Sequence, residues 1–208
     1  MPCSNALKRF NQQASLTRTA ISSLTRFFVE SKGAKLTDLD GNVYTDYWCT
    51  HLAVILGHRH PTVLEAIKLQ AEKGWHHGFV HELEVTHAEA ITRHVPSAEM
   101  VRYASSGSEA NFFAVRLART FTKTTKIAKF EGWHGPCDPL HIAMNPPFDK
   151  LPSGGITKGS QQDTIVVPFN DFNGFKGRVK QEQLACVLLE PVLTAGGAFP
   201  LIDNFSKH

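Results

Sequence analysis

The apolar and polar positions of this chain alternate first at strand spacing and then at helix spacing, several times over. Residues 34–48 carry Asp40-Gly41-Asn42 between Leu36-Thr-Asp-Leu39 and Val43-Tyr-Thr-Asp-Tyr47. Glycine and asparagine accept the positive φ of a tight turn, so this stretch predicts a β-hairpin. Residues 52–57, Leu-Ala-Val-Ile-Leu-Gly, form a short apolar run ending in glycine. Pro61 suits a first helical residue. Val63, Leu64, Ile67 and Ala71 then give one apolar face, and Gly74 suits the stop. A second helix is expected from about Glu84 to Val95, with Val85, Ala88, Ile91 and Val95 at helical spacing and Pro96 behind them.

From Met100 the pattern changes. Met100-Val-Arg-Tyr-Ala104 predicts a strand, Ser105-Ser-Gly-Ser108 a tight polar turn, and the residues after it an amphipathic helix. Ala110, Phe113, Val115, Leu117 and Phe121 are its expected buried surface. Lys126–Phe130 and Thr164–Pro168 read as further strands, and Leu184–Leu189 as a fully buried one. Residues 145–162, rich in Pro, Gly, Ser and Gln, predict a long loop. Strands alternating with helices imply an α/β fold with a mostly parallel sheet. Residues 1–75 read as an N-terminal arm and small lobe, and residues 76–208 as part of a larger domain.

Composition narrows the function. The 208 residues hold 22 basic and 19 acidic side chains, scattered, for a net charge of +3. Without a Lys/Arg block there is no footprint for nucleic acid. No apolar run approaches the roughly 18 residues that a membrane span needs. The start of the chain lacks the apolar core of a secretion signal. Arg9, Arg18 and Arg26, with no acid before Glu30, faintly resemble an organelle transit peptide. A frayed helical arm on a cytoplasmic protein is the simpler reading. Cys3, Cys49, Cys137 and Cys186 lack C-x-x-C spacing and read as reduced thiols. His58-Arg-His60 and His76-His77 lack a third ligand at zinc spacing, so no metal is expected.

In α/β sheets ligands gather beyond the C-terminal ends of the strands. Four features fall there: Ser105–Ser108, Trp133-His134-Gly135, Asn170-Asp171 and Glu190-Pro191. At a helix start the first backbone N–H groups have no intrahelical partner and the dipole is positive. Small residues and hydroxyls at that point suit a phosphate monoester. The same stretch also reads as a plain capped start, with Ser106 or Ser108 as cap and Glu109 in the first turn. Trp133 is either a core aromatic or a flat partner for a heteroaromatic ring. Glu190 is either a solvated strand end or a carboxylate that holds an arginine or a water near substrate. No G-x-G-x-x-G or Walker pattern supports a nucleotide-binding module instead.

With these pieces the chain resembles the class III, pyridoxal-phosphate-dependent aminotransferases, and within them the glutamate-1-semialdehyde 2,1-aminomutase group. The resemblance rests on Gly33–Asn42, Asp46-Tyr47, Ile55–His58 with His60-Pro61, Glu82–Glu84, Val101–Ala110, Ala114–Arg119, Lys129–Gly135 and Glu190-Pro191, in family order. It implies an aspartate-aminotransferase-like α/β fold, a dimer, and pyridoxal 5′-phosphate as cofactor. It implies amino-group transfer between an amino acid or amine and an oxo compound. By position, Ser106, Gly107, Ser108, Trp133, His134 and Glu190 would surround the cofactor, with Trp133 as the ring-stacking aromatic. Thr50 and His51 would lie near the substrate. His51 departs from the tryptophan of the aminomutases, and Phe169 replaces the tyrosine of the family's Tyr-Asn-Asp turn. The family's later aspartate for the pyridine nitrogen and its Schiff-base lysine have no counterpart here, since Asp203 and Lys207 come too early. No catalytic residue is therefore assigned, and the chain alone is expected to be inactive. The alternative is a truncated, non-catalytic paralogue that forms a mixed dimer with a full-length subunit and modulates it.

Overall fold

The computed structural model describes residues 26–50, 53–132, 134–143, 155–194 and 197–202. They fall into two compact units, one ending at His87 and the other beginning at Ala88.

The first unit opens with an antiparallel sheet. Strands β1 (Phe28–Lys32), β2 (Lys35–Asp38) and β3 (Val43–Thr45) pair in that order. The hairpin stands where its turn residues predicted it. Buried Asp38 closes the turn: its carboxylate accepts from the amides of Asp40 and Asn42, from Asn42 Nδ2 and from Tyr44 Oη. Asp46 does the same just past β3, accepting from the amides of Trp48 and Cys49 and meeting His58 Nε2 at 2.7 Å. His58 is thus a structural residue. Its backbone also exchanges both hydrogen bonds with Gly33, at 2.8 and 2.9 Å. Helix α1 (Pro61–Lys73) has Pro61 in its first turn and Gly74 as C-cap, as expected, and α2 (Glu82–His94) follows. Neither helix has a fully buried residue, so their apolar faces are less covered than the periodicity implied.

The second unit centres on a parallel sheet of order β5-β4-β6. Its strands are β4 (Ile127–Phe130), β5 (Thr164–Val167) and β6 (Cys186–Leu188). Central β4 is buried along its whole length, as a strand paired on both edges should be. Helix α3 (Gly107–Thr122) precedes it and places Val115 against Ile127 and Leu140. Short helices α4 (Asp138–His141) and α5 (Lys158–Gln162) follow, then α6 (Phe172–Val179). A small hairpin, β7 (Val192–Leu193) with β8 (Phe199–Pro200), ends the described chain.

Four expectations need correction. Met100–Ala104 forms no strand, because no described strand pairs with it, and a strand without a ladder has nothing to hold it. The strand expected at 184–189 shrinks to Cys186–Leu188 and is only half-buried, with Val187 44% exposed. It pairs with β4 on one edge and has no described neighbour on the other. On α3 only Val115 is buried, while Leu117 and Phe121 are 70% and 87% exposed. One side of this helix meets the sheet and nothing described covers the rest. The loop expected at 145–162 contains α5, whose N-cap Thr157 accepts from the Ser160 amide. Residues 145–154 of that loop lie outside the described residues.

The Asp38 cap sets a pH dependence. Burial pushes this carboxyl up, but the hydrogen bonds from Asn42, Tyr44 and Asp40 outweigh it and hold its pKa below 3.8. A carboxyl with a depressed folded pKa stabilises above its unfolded value and loses that contribution as pH falls through the folded value. Below pH 3.8 the wild-type hairpin should therefore lose stability faster than Asp38→Asn. Thermal unfolding followed by circular dichroism between neutral and acid pH checks this. Parallel curves for the two proteins would contradict it.

Candidate active site at the start of the third helix

Ser106 is the N-cap of α3, in extended backbone, and its hydroxyl accepts from the Glu109 amide at 3.2 Å. Glu109 reaches back to accept from the Ser105 amide at 2.6 Å. Ser106 is thus a working N-cap with Glu109 in the first turn, so the plain reading of the Ser-Ser-Gly-Ser-Glu stretch is correct as far as it goes. The cap does not use up the helix start. The Ala110 amide goes to the Ser106 carbonyl, but among the described residues no acceptor meets the amides of Gly107 and Ser108. A Cβ added to Gly107 would have no heavy atom within 4 Å. Two first-turn amides without a described acceptor therefore stand at the positive end of a sixteen-residue helix, with open space beside Gly107.

The loop after β4 forms the next wall. Gly135 has φ +133°, and a Cβ there would lie 3.3 Å from the Ser108 backbone and side chain. Only glycine lets the loop come this close to the helix start. Asn111, one turn along α3, donates from Nδ2 to the His134 carbonyl at 2.8 Å and fastens loop to helix. The His134 ring is buried, with Nε2 3.3 Å from the Phe130 carbonyl. Burial and the neighbouring Lys129 charge lower its pKa, so the imidazole is neutral at pH 7. In that geometry Nε2 carries the proton and donates it to Phe130.

Under the loop sits Lys129, in the middle of β4 and fully buried. Its ammonium donates to the carbonyls of Gly132 at 3.1 Å, Leu140 at 2.8 Å and Ile142. Burial lowers its pKa to about 8, with the Glu190 carboxylate pulling the other way, so it stays charged at neutral pH. Glu190 stands just past β6. One carboxylate oxygen accepts from the amide and hydroxyl of Thr194, at 3.2 and 3.0 Å. The other, Oε1, is buried without a hydrogen-bond partner.

The corner thus gathers Ser106, Gly107, Ser108 and His134 among the residues expected from sequence, with Glu190 beside Gly132 and within the field of Lys129. Trp133 and His51 lie outside the described residues. Thr50 belongs to the first unit, exposed and at φ 52°. Asn170, at φ 66°, spends its side chain on the Pro200 carbonyl and the Ile202 amide. Asp171 caps α6 through the Gly174 amide. Both are structural rather than ligand-facing. Sequence reading missed the roles of Lys129 and Asn111. The available signals were a lysine inside the apolar run Ile-Ala-Lys-Phe and an asparagine one helical turn after Gly107.

Residues 18–208 match the family Aminotransferase class-III. The chain belongs to this family. It is 39% identical over 194 residues to a glutamate-1-semialdehyde 2,1-aminomutase of Thermodesulfovibrio yellowstonii, covering 90% of this chain and 45% of that protein. A solved omega-transaminase from Sphaerobacter thermophilus superposes with a TM-score of 0.88 at 29% identity, covering 99% of this chain and 50% of that one. A structure described as a transaminase with PLP bound gives 0.89 at 31% identity, covering 99% and 51%. The chain spans about half the length of the relatives it matches. The aspartate-aminotransferase-like fold expected from sequence is therefore present, over that span.

Class III aminotransferases work with pyridoxal 5′-phosphate. The corner fits such a group: two unpaired amides and open space beside Gly107 suit its phosphate, and Glu190, whose buried Oε1 has no hydrogen-bond partner, stands against Gly132 in the same loop.

Gly132 tests the packing of this wall. It has φ +137°, and a Cβ would stand 2.7 Å from Glu190 Oε1 and 2.9 Å from Leu193 Cδ1. Gly132→Ala should destabilise the fold by roughly 2–4 kcal/mol, from backbone strain and overpacking together. Denaturant unfolding measures it, and an unchanged midpoint would contradict the geometry.

Proposed function

We propose that this chain builds the phosphate-and-ring pocket of a class III aminotransferase or aminomutase, one that moves an amino group between an amino acid or amine and an oxo compound. The observation that carries the reading is the open helix start, where Gly107 and Ser108 present unpaired amides beside a loop fastened by Asn111. Ser106 fixes the start of the helix, and Gly107 and Ser108 take the phosphate. The loop through His134 and Gly135 walls the ring side. Neutral His134 adds no charge there, and Glu190 offers its free oxygen. When bound, pyridoxal phosphate supplies an electron-accepting ring for the pair released at the substrate carbon. The residues of this chain bind and orient it.

Lys129 is not the nucleophile. An amine that forms a covalent bond to an aldehyde needs a free lone pair, and this ammonium is committed to three carbonyls. Turnover on this reading needs an amine other than Lys129. Exposed Leu117 and Phe121 on α3 support a covering surface, in a homodimer or in a mixed dimer with a full-length subunit. No helix among the described residues is long and apolar enough to cross a membrane.

Calorimetric titration with pyridoxamine 5′-phosphate tests the pocket without any covalent anchor. Wild type should bind, and inorganic phosphate should compete. Gly107→Asp should weaken binding by about tenfold or more, since it sets a carboxylate against the phosphate. Equal affinity of the variant would overturn the assignment of the helix start.

A further inference from the structure

We propose that Lys129 is the positioning residue of this pocket: its buried ammonium gathers the carbonyls of Gly132, Leu140 and Ile142 and so holds the loop at Gly135 against the start of α3. The inference rests on the pocket reading given above.

A lysine in a fully buried central strand is costly. Removing an ammonium from water costs several kcal/mol in real proteins, and only good geometry with satisfied protons offsets it. Here all three protons are used, and the acceptors come from both ends of one loop. Gly132 lies two residues past β4, while Leu140 and Ile142 flank the end of α4. The ammonium therefore does more than fill the strand. It draws the exit and return of the loop onto one point. Gly132 N donating to the Ala143 carbonyl at 3.1 Å closes the same ring of contacts.

Two further tethers show what this ring holds. The His134 carbonyl is fixed to α3 by Asn111, and the Gly135 backbone packs on Ser108. The loop wall is set by Lys129 from below and by Asn111 from the side. The phosphate amides of Gly107 and Ser108 belong to the helix and do not depend on Lys129. The two halves of the pocket should therefore respond differently to its removal. Lys129 touches no reacting atom in this account and acts through the loop.

The test is a titration of the full chain with two probes, pyridoxamine 5′-phosphate and inorganic phosphate. It uses wild type, Lys129→Met, Lys129→Gln and, as a control in the core beneath α3, Val115→Ala. Lys129→Met should weaken pyridoxamine phosphate by about tenfold or more, through the displaced loop wall, with phosphate affinity held within about twofold. Lys129→Gln still offers two N–H donors and should recover part of the loss. Val115→Ala should lower stability without splitting the two affinities. If Lys129→Met binds pyridoxamine phosphate as wild type does, or if both probes weaken together, the positioning role is wrong. Should Lys129→Met not fold, Lys129→Gln decides by the same split. Failure of wild type to bind either probe would instead overturn the pocket reading itself, and this inference with it.

Discussion

A buried positive charge with nowhere to go but three backbone carbonyls organises the second unit. Ile127, Ala128 and Phe130 make β4 an apolar central strand, and Lys129 interrupts it. The ammonium can be there only because Gly132, Leu140 and Ile142 turn their carbonyls toward it. That demand fixes how the chain leaves the strand and how it comes back. Glycine at 132 and 135 then becomes obligatory, once to make room for Glu190 and once to let the loop reach Ser108.

The chemistry of the corner follows from this packing. A capped helix start is common and by itself says little. What distinguishes this one is the division of labour among its amides. The side chains of Ser106 and Glu109 satisfy the amides of Glu109 and Ser105, while the amides of Gly107 and Ser108 have no described acceptor and Gly107 has open space beside it. An anion there would be met by the helix dipole as well as by two N–H groups. The carboxylate of Glu190, beside Gly132, is half satisfied by Thr194 and half without a hydrogen-bond partner.

Much of this was legible in the sequence, and the failures are instructive. Turn chemistry at Asp40-Gly41-Asn42 and the Pro61–Gly74 punctuation located their elements because local backbone preference decides such features. Ser106, Gly107, Ser108 and His134 were singled out through an ordered set of short motifs, and the structure brings them to one corner. Met100–Ala104 failed as a strand because a strand exists only with a partner, which periodicity cannot supply. The buried face of α3 was overcalled for a similar reason: apolar spacing marks a surface able to be covered, not one that is covered among the described residues. Lys129 was quoted within a motif and given no role. Pattern reading assigns lysine to the surface, and the acceptors that hold it lie up to thirteen residues away.

The central claim is that an anion docks on the first turn of α3. Backbone amide chemical shifts report this directly, residue by residue, as inorganic phosphate is added to the full chain. The account predicts saturating shifts concentrated at Gly107 and Ser108 and spreading to Gly135. Shifts confined to other parts of the chain, or none at these amides at saturating phosphate, would contradict it.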